Sequence, residues 1–169
     1  FTVATMALVF AKEKPSINEE KILKMALIHE IGAAKTGDTT PYDPILKRKK
    51  REKEKILTQM LRLPEKEKAK IFWKEYQKEK RAIEGLTRKL PEKLRQEVNF
   101  LWDDYRLQKS SEGKFLSQLN IVAVLFRGVL YKKEEKSFST LPLWEWALEG
   151  IEEPSILKFL ETLKQYEKG

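Results

Sequence analysis

The chain has 169 residues, of which 41% are hydrophobic and 36% charged, with a formal net charge of +8; this suits one globular, highly charged domain and excludes a disordered chain. Cysteine is absent, which excludes disulfides and thiolate metal sites and fits a cytoplasmic or other reducing compartment rather than secretion. No apolar run approaches the roughly 18–20 residues that span a bilayer, and no signal peptide is visible, so no membrane partner is expected.

In chain order, "FTVATMALVF" starts inside an amphipathic helical pattern, with Phe1, Val3, Met6, Val9 and Phe10 as its apolar set. Residues upstream of Phe1 are therefore expected. "SINEEKILKMALIHEIGAA" opens with Ser16 and Glu19 at capping-box spacing. It continues apolar nearly all round, which predicts a buried central helix ended by Gly37 and Pro41. The only histidine, His29, lies near its end with Glu30 beside it. A lone histidine on such a helix is either a hydrogen-bonded core residue or a ligand.

"PILKRKKREKEKILTQMLRL" predicts a basic helix with apolar ends. "PEKEKAKIFWKEYQKEKRAI" and "PEKLRQEVNFLWDDYRLQ" each begin with a proline suited to a first helical turn. In the latter, Leu94, Val98, Leu101, Trp102 and Tyr105 share a face. "EGKFLSQLNIVAVLFRGVLY" is again apolar all round, and "LPLWEWALEG" and "PSILKFLETLKQY" complete an all-α count with no strand pattern. Residues 62–76 and 89–105 echo each other: both carry Leu-Pro-Glu-Lys, then Trp, two charged residues and Tyr. The echo is either a duplicated helix or two copies of a common helix start.

Charge is uneven. Residues 47–93 hold 18 Lys/Arg against 8 Asp/Glu, so this segment carries the whole excess. Its densest part, Lys47, Arg48, Lys49, Lys50 and Arg51, is the candidate nucleic-acid contact, with Phe72, Trp73 and Tyr76 interleaved further on. Lys and Arg at this density neutralise phosphates in a salt-dependent way. No base-reading spacing is present, so such binding would follow charge and shape. The alternative is a solvated face laced with Glu–Lys pairs, of the kind thermophile surfaces show.

Two stretches resemble a known family. "ALIHEIGAAKTGDTTPYD" is similar to the central motif of HD-domain phosphohydrolases of the 5′-deoxynucleotidase branch, Ala-Leu-x-His-Asp-x-x-Glu-x-x-x-Gly-Asp-x-x-Pro. "LWDDYRLQKSSEGKFLSQLN" resembles that branch's Leu-Trp-Glu-Glu-Tyr…Ala-Lys-Phe-Val-Lys-x-Leu-Asp. The resemblance covers residues 1–46 and about 89–131 well. It implies a single all-α HD-domain bundle over 1–169, enlarged by a basic helical insertion at about 47–88. It also implies a divalent metal (Mn, Co, Mg or Zn), held by a first-helix His, the His-Asp pair and a distant Asp, that activates water against a 5′-phosphate. Homodimers are usual in the family.

Carried over by position, the first His would fall two residues before Phe1. His29 matches the pair's His, and Gly37 and Asp38 match, with Asp38 the candidate catalytic residue. Glu30 stands for Asp, Ala33 for an acid/base Glu, Asn120 for the distant Asp, and Ala123 for a further acidic position. His29, Glu30 and Asn120 are thus the candidate metal residues, with Asp38, Asp43, Glu112 or water available to fill gaps. Ala33 cannot transfer a proton, and loss of a general acid or base typically costs about 10²–10⁴-fold in rate. Asn120 lacks the charge of a carboxylate but needs a partner if buried; a hydrogen bond to His29 would satisfy both.

These substitutions favour a degenerate HD domain, catalytically impaired, that serves as a binding or scaffold subunit with RNA contact or a place in a larger assembly. The alternative is a metal-dependent phosphohydrolase that releases phosphate from (deoxy)nucleoside 5′-monophosphates. A third reading has the pocket hold a nucleotide without turning it over.

Overall fold

The computed structural model describes residues 1–37 and 63–169. All but the last residue of the basic helix expected at 44–63, together with Asp38, Asp43 and Lys47 to Arg51, lie outside the described residues.

The elements are α1 (Thr2–Ala11), α2 (Glu19–Ile28), α3 (Ala33–Thr36), α4 (Glu65–Thr87), α5 (Glu92–Leu107), α6 (Ser111–Glu134), α7 (Leu141–Gly150) and α8 (Pro154–Lys168). No strand occurs among the described residues, and the bundle is the all-α fold expected.

The bundle is organised around α6, which packs against α1, α2, α5, α7 and α8. Phe115, Leu116, Leu119, Val122, Leu125 and Val129 along it are fully buried. Each such side chain contributes about 1.5–3 kcal/mol, so α6 is central because neighbours cover its apolar surface on several sides. By length and apolar content α6 could also span a bilayer, which departs from the expectation of no such run. Its uncharged stretch includes Ser117, Gln118 and Asn120, and those positions face neighbouring elements: Gln118 accepts from the Glu152 and Glu153 amides.

Helix α2 departs from expectation at both ends. Its N-cap is Asn18, whose side chain accepts from the Lys21 amide at 2.9 Å, not Ser16. Asn ranks with Ser as a cap, and Asn18 is in extended backbone immediately before the first helical residue. At the other end α2 stops at Ile28 rather than running to Gly37. The chain tightens into three-residue turns there, Ile31 to the Ile28 carbonyl and Ala33 to the Glu30 carbonyl. Gly32, a weak helix former, follows before α3. His29 and Ala33 are therefore not on one continuous helix. Nor is α2 buried all round: Ile22, Met25 and Ala26 are, but Leu27 is 71% exposed.

Pro64 and Pro91 each sit one residue before the helix, as N-caps with φ of −56° and −51°. Of the α5 face, Leu101 and Trp102 are buried while Leu94 is exposed. The two echoed helices, α4 and α5, pack on each other. Tyr76 of one stacks on Trp102 of the other at 5.5 Å and donates to Asp103, which makes a small second core with Ile83.

Helix α5 turns sharply into α6. Gln108 takes φ of +51°, and its amide and that of Lys109 close the helix on the Asp104 and Tyr105 carbonyls. The left-handed residue replaces the glycine common at this position. Ser110 then caps α6 by accepting from the Gly113 amide at 3.2 Å, and Asp104 accepts from the Ser110 amide at 2.8 Å. This compact reversal sets Tyr105 opposite Asn120.

Candidate metal and phosphate site

Three helices bring the candidate residues together. His29 closes α2, Tyr105 lies near the end of α5, and Asn120 sits midway along α6.

The His29 ring is oriented from behind. Its Nδ1 lies 2.7 Å from the Ala26 carbonyl oxygen, and only a protonated Nδ1 satisfies that contact, since both groups would otherwise be acceptors. The neutral ring then carries its lone pair on Nε2. That atom is buried and has no hydrogen-bond partner among the described residues. Among the described residues the nearest charged oxygen is Glu30 Oε1 at 3.7 Å, too far for a hydrogen bond. A backbone carbonyl that fixes one nitrogen and leaves the other facing an unfilled requirement is the arrangement seen behind metal-ligating histidines.

Tyr105 is the residue that links the candidates. Its ring meets His29 edge-on, centroid to centroid 5.4 Å. Its hydroxyl accepts from Asn120 Nδ2 at 3.2 Å. The expected Asn120–His29 bond is therefore absent, because Tyr105 stands between them. Burial pushes the Tyr105 hydroxyl up to about 12, so it stays protonated and neutral. With its nitrogen engaged, Asn120 keeps a carbonyl oxygen for another partner.

A second set of residues holds this geometry. Lys21 of α2 reaches Asp104 of α5 at 2.8 Å and Glu112 of α6 at 3.0 Å. Glu112 also accepts from the Asn18 amide at 3.1 Å. One ammonium thus ties the same three helices that carry His29, Tyr105 and Asn120. Burial raises the Glu112 carboxyl, but the Asn18 amide and Lys21 outweigh it and bring it to about 2. Burial likewise opposes ionisation of Asp104, and the bonds from Lys21 and Ser110 hold it below its ordinary value. Glu112 is consequently a clamp residue, not a ligand that fills gaps. It lies eight positions before Asn120, about 12 Å along the helix axis.

Helix α4 covers the turn after His29. Gly32 packs toward Ile83 and Glu79, Lys78 donates to the Thr36 carbonyl at 3.0 Å, and Glu79 holds Arg106 through bonds of 2.7 and 3.1 Å. Ala33 opens α3 in this turn and offers no polar atom.

The structure therefore brings His29, Glu30 and Asn120 into one neighbourhood, and no group of three or more His, Asp or Glu able to hold an ion forms among the described residues. Sequence reasoning missed Tyr105 as part of the site and Lys21 as its clamp. The available signals were the Trp-Asp-Asp-Tyr stretch and a lysine in the first turn of α2, directly before its apolar run.

Comparison with known proteins agrees with the motifs. The pattern of the family described as HD domain matches residues 1–81 and, overlapping, 74–145. The overlap falls in α4, the first of the two echoed helices. The chain is 28% identical over 136 residues to 5′-deoxynucleotidase HDDC2 of Xenopus laevis, covering 80% of this chain and 54% of that protein. It is 25% identical over 165 residues to the human 5′-deoxynucleotidase HDDC2, covering 97% and 68%. It is 23% identical over 155 residues to 5′-deoxynucleotidase hdd1 of Schizosaccharomyces pombe, covering 89% and 66%. The chain thus spans about half to two thirds of the length of these relatives.

Proposed function

Because the chain belongs to the HD-domain family, we propose that it is a metal-dependent phosphohydrolase that releases phosphate from deoxynucleoside 5′-monophosphates. The observation that carries this reading is the buried Nε2 of His29, which has no hydrogen-bond partner among the described residues and is held in its tautomer by the Ala26 carbonyl. An orphaned buried polar atom needs an explanation, and a ligand to a divalent cation supplies one.

The residues fit such an ion in part. His29 Nε2 offers an imidazole nitrogen, Glu30 a carboxylate beside it, and Asn120 a neutral carbonyl oxygen. When bound, a divalent metal supplies Lewis acidity that activates water against a phosphate ester. His29 is oriented by Ala26, and Asn120 by Tyr105. The Lys21 clamp keeps their helices in register. Ala33 moves no proton, so that role passes to another carboxylate, and Asp38 is the one the motif offers. One fewer anionic donor than the family pattern makes metal binding weaker, which slows turnover without abolishing it. The relatives are named deoxynucleotidases, which weighs toward the hydrolase and against the retired scaffold that Ala33 and Asn120 first suggested.

The test is phosphate release from deoxynucleoside monophosphates in added Mn²⁺, Co²⁺ or Mg²⁺, beside calorimetric titration of each metal. Metal-dependent release that His29→Ala abolishes, with loss of metal binding, supports the proposal. Neither binding nor release by the folded protein overturns it and restores the scaffold reading.

A further inference from the structure

The outer face of α4 has no part in the site above. Lys66, Lys70, Lys74 and Arg81 recur there, with Arg88 at the helix C-cap, every four or seven residues, and all are exposed. That spacing keeps them on one stripe, with steps of about 6 Å or 10 Å along the axis. None of the five forms an ion pair among the described residues. The acidic residues of the central turns point elsewhere: Glu79 is engaged by Arg106, and Glu75 is partly buried near Lys78. Glu67 and Glu84 share the exposed side but lie outside the Lys70–Arg81 stretch.

One aromatic interrupts the cations. Trp73 is 52% exposed in the middle of the stripe. It is braced edge-on by Phe72 at 5.5 Å and Tyr76 at 5.4 Å, so little side-chain freedom is left to lose on binding. Beside it, Lys74, Gln77, Lys78 and Arg81 line a shallow hollow of about 360 Å³.

We propose that this face of α4 binds single-stranded nucleic acid, with the cations along the backbone and a base stacked on Trp73. A row of unpaired cations around one fixed, exposed aromatic is the pairing that single-strand binders use. Bases in a duplex are already stacked and leave Trp73 without a partner. A lipid surface is a poorer fit, because Trp73 is the one large apolar side chain exposed between Lys66 and Arg81 and a membrane-lying helix needs a whole apolar face. The placement does not depend on the phosphohydrolase reading.

The test is fluorescence anisotropy of a labelled oligouridylate with the full chain, across a salt series, with a duplex of equal length and heparin as competitors. The variants are Trp73→Ala and the triple Lys70→Glu/Lys74→Glu/Arg81→Glu, all at exposed positions. The expected result is binding that Trp73→Ala weakens about tenfold. The triple variant should also lower the salt slope by about 2, for three phosphates at roughly 0.7 each. Binding that the triple variant abolishes and Trp73→Ala leaves unchanged, with duplex and heparin competing equally, would mean general polyanion adhesion and overturn the proposal. So would no binding at low salt. An acidic protein captured in preference to the oligonucleotide would overturn it in favour of a protein partner.

Discussion

Replacing Lys21 by Met removes the cation that, among the described residues, Asp104 and Glu112 share. Both carboxylates are buried, 2% and 7% exposed, and both lose a charged bond of 3.0 Å or less. Removing one partner of a buried ion pair costs about 3–5 kcal/mol. Here the Lys21 side chain is 24% exposed, and the carboxylates keep the Ser110 and Asn18 amides, so about 2–3 kcal/mol is expected at neutral pH. For a chain of this size that corresponds to roughly 5–10 °C in Tm. The pH dependence carries a sign. The folded pKa of both groups lies below the unfolded value, so their stabilisation is present above about pH 4 and lost as pH falls through the folded values, about 2 for Glu112. Lys21→Met should therefore melt well below the parent at pH 7, and the gap should narrow as the pH drops from about 4 toward 2. Thermal melts followed by circular dichroism across that range measure both. A variant that melts within a degree of the parent at pH 7 would refute the clamp.

Three further outcomes follow from the geometry. Tyr105→Phe removes the acceptor that orients Asn120 and should weaken Mn²⁺ or Co²⁺ binding by about tenfold, the lower end for a supporting residue, in a calorimetric titration; unchanged affinity would leave Tyr105 as packing only. Asn120→Asp adds an anion that the Tyr105 hydroxyl can hydrogen-bond, and should tighten the same titration by about tenfold, taking the charge at about 1.4 kcal/mol; equal or weaker binding would place residue 120 outside the metal's reach. Gly113→Ala drives a methyl to 2.7 Å from the Asp104 carbonyl oxygen and 2.8 Å from its Oδ1, which should destabilise the fold by about 1–3 kcal/mol in urea melts.

The apolar periodicity of α1, α5 and α6 determined an all-α bundle, and the near-continuous apolar character of α6 already marked it as central. Burial there follows from side-chain type and helical period, which are local properties. The His29 motif likewise marked one candidate ligand without any structure. The end of α2 was not legible in the same way. Helical propensity runs through His29 toward Gly37, but the Ala26–His29 bond and the three-residue turns up to Gly32 break the helix, so Ala33 leaves the face of His29. Asn120 needed a buried partner, and only the α5–α6 reversal at Gln108 decided that the partner was Tyr105 rather than His29. Glu112 was one of the acidic residues available to fill gaps around a metal. It became a clamp because Lys21, 91 residues away, folds against it, and pairings over that distance depend on how helices pack, not on any local pattern.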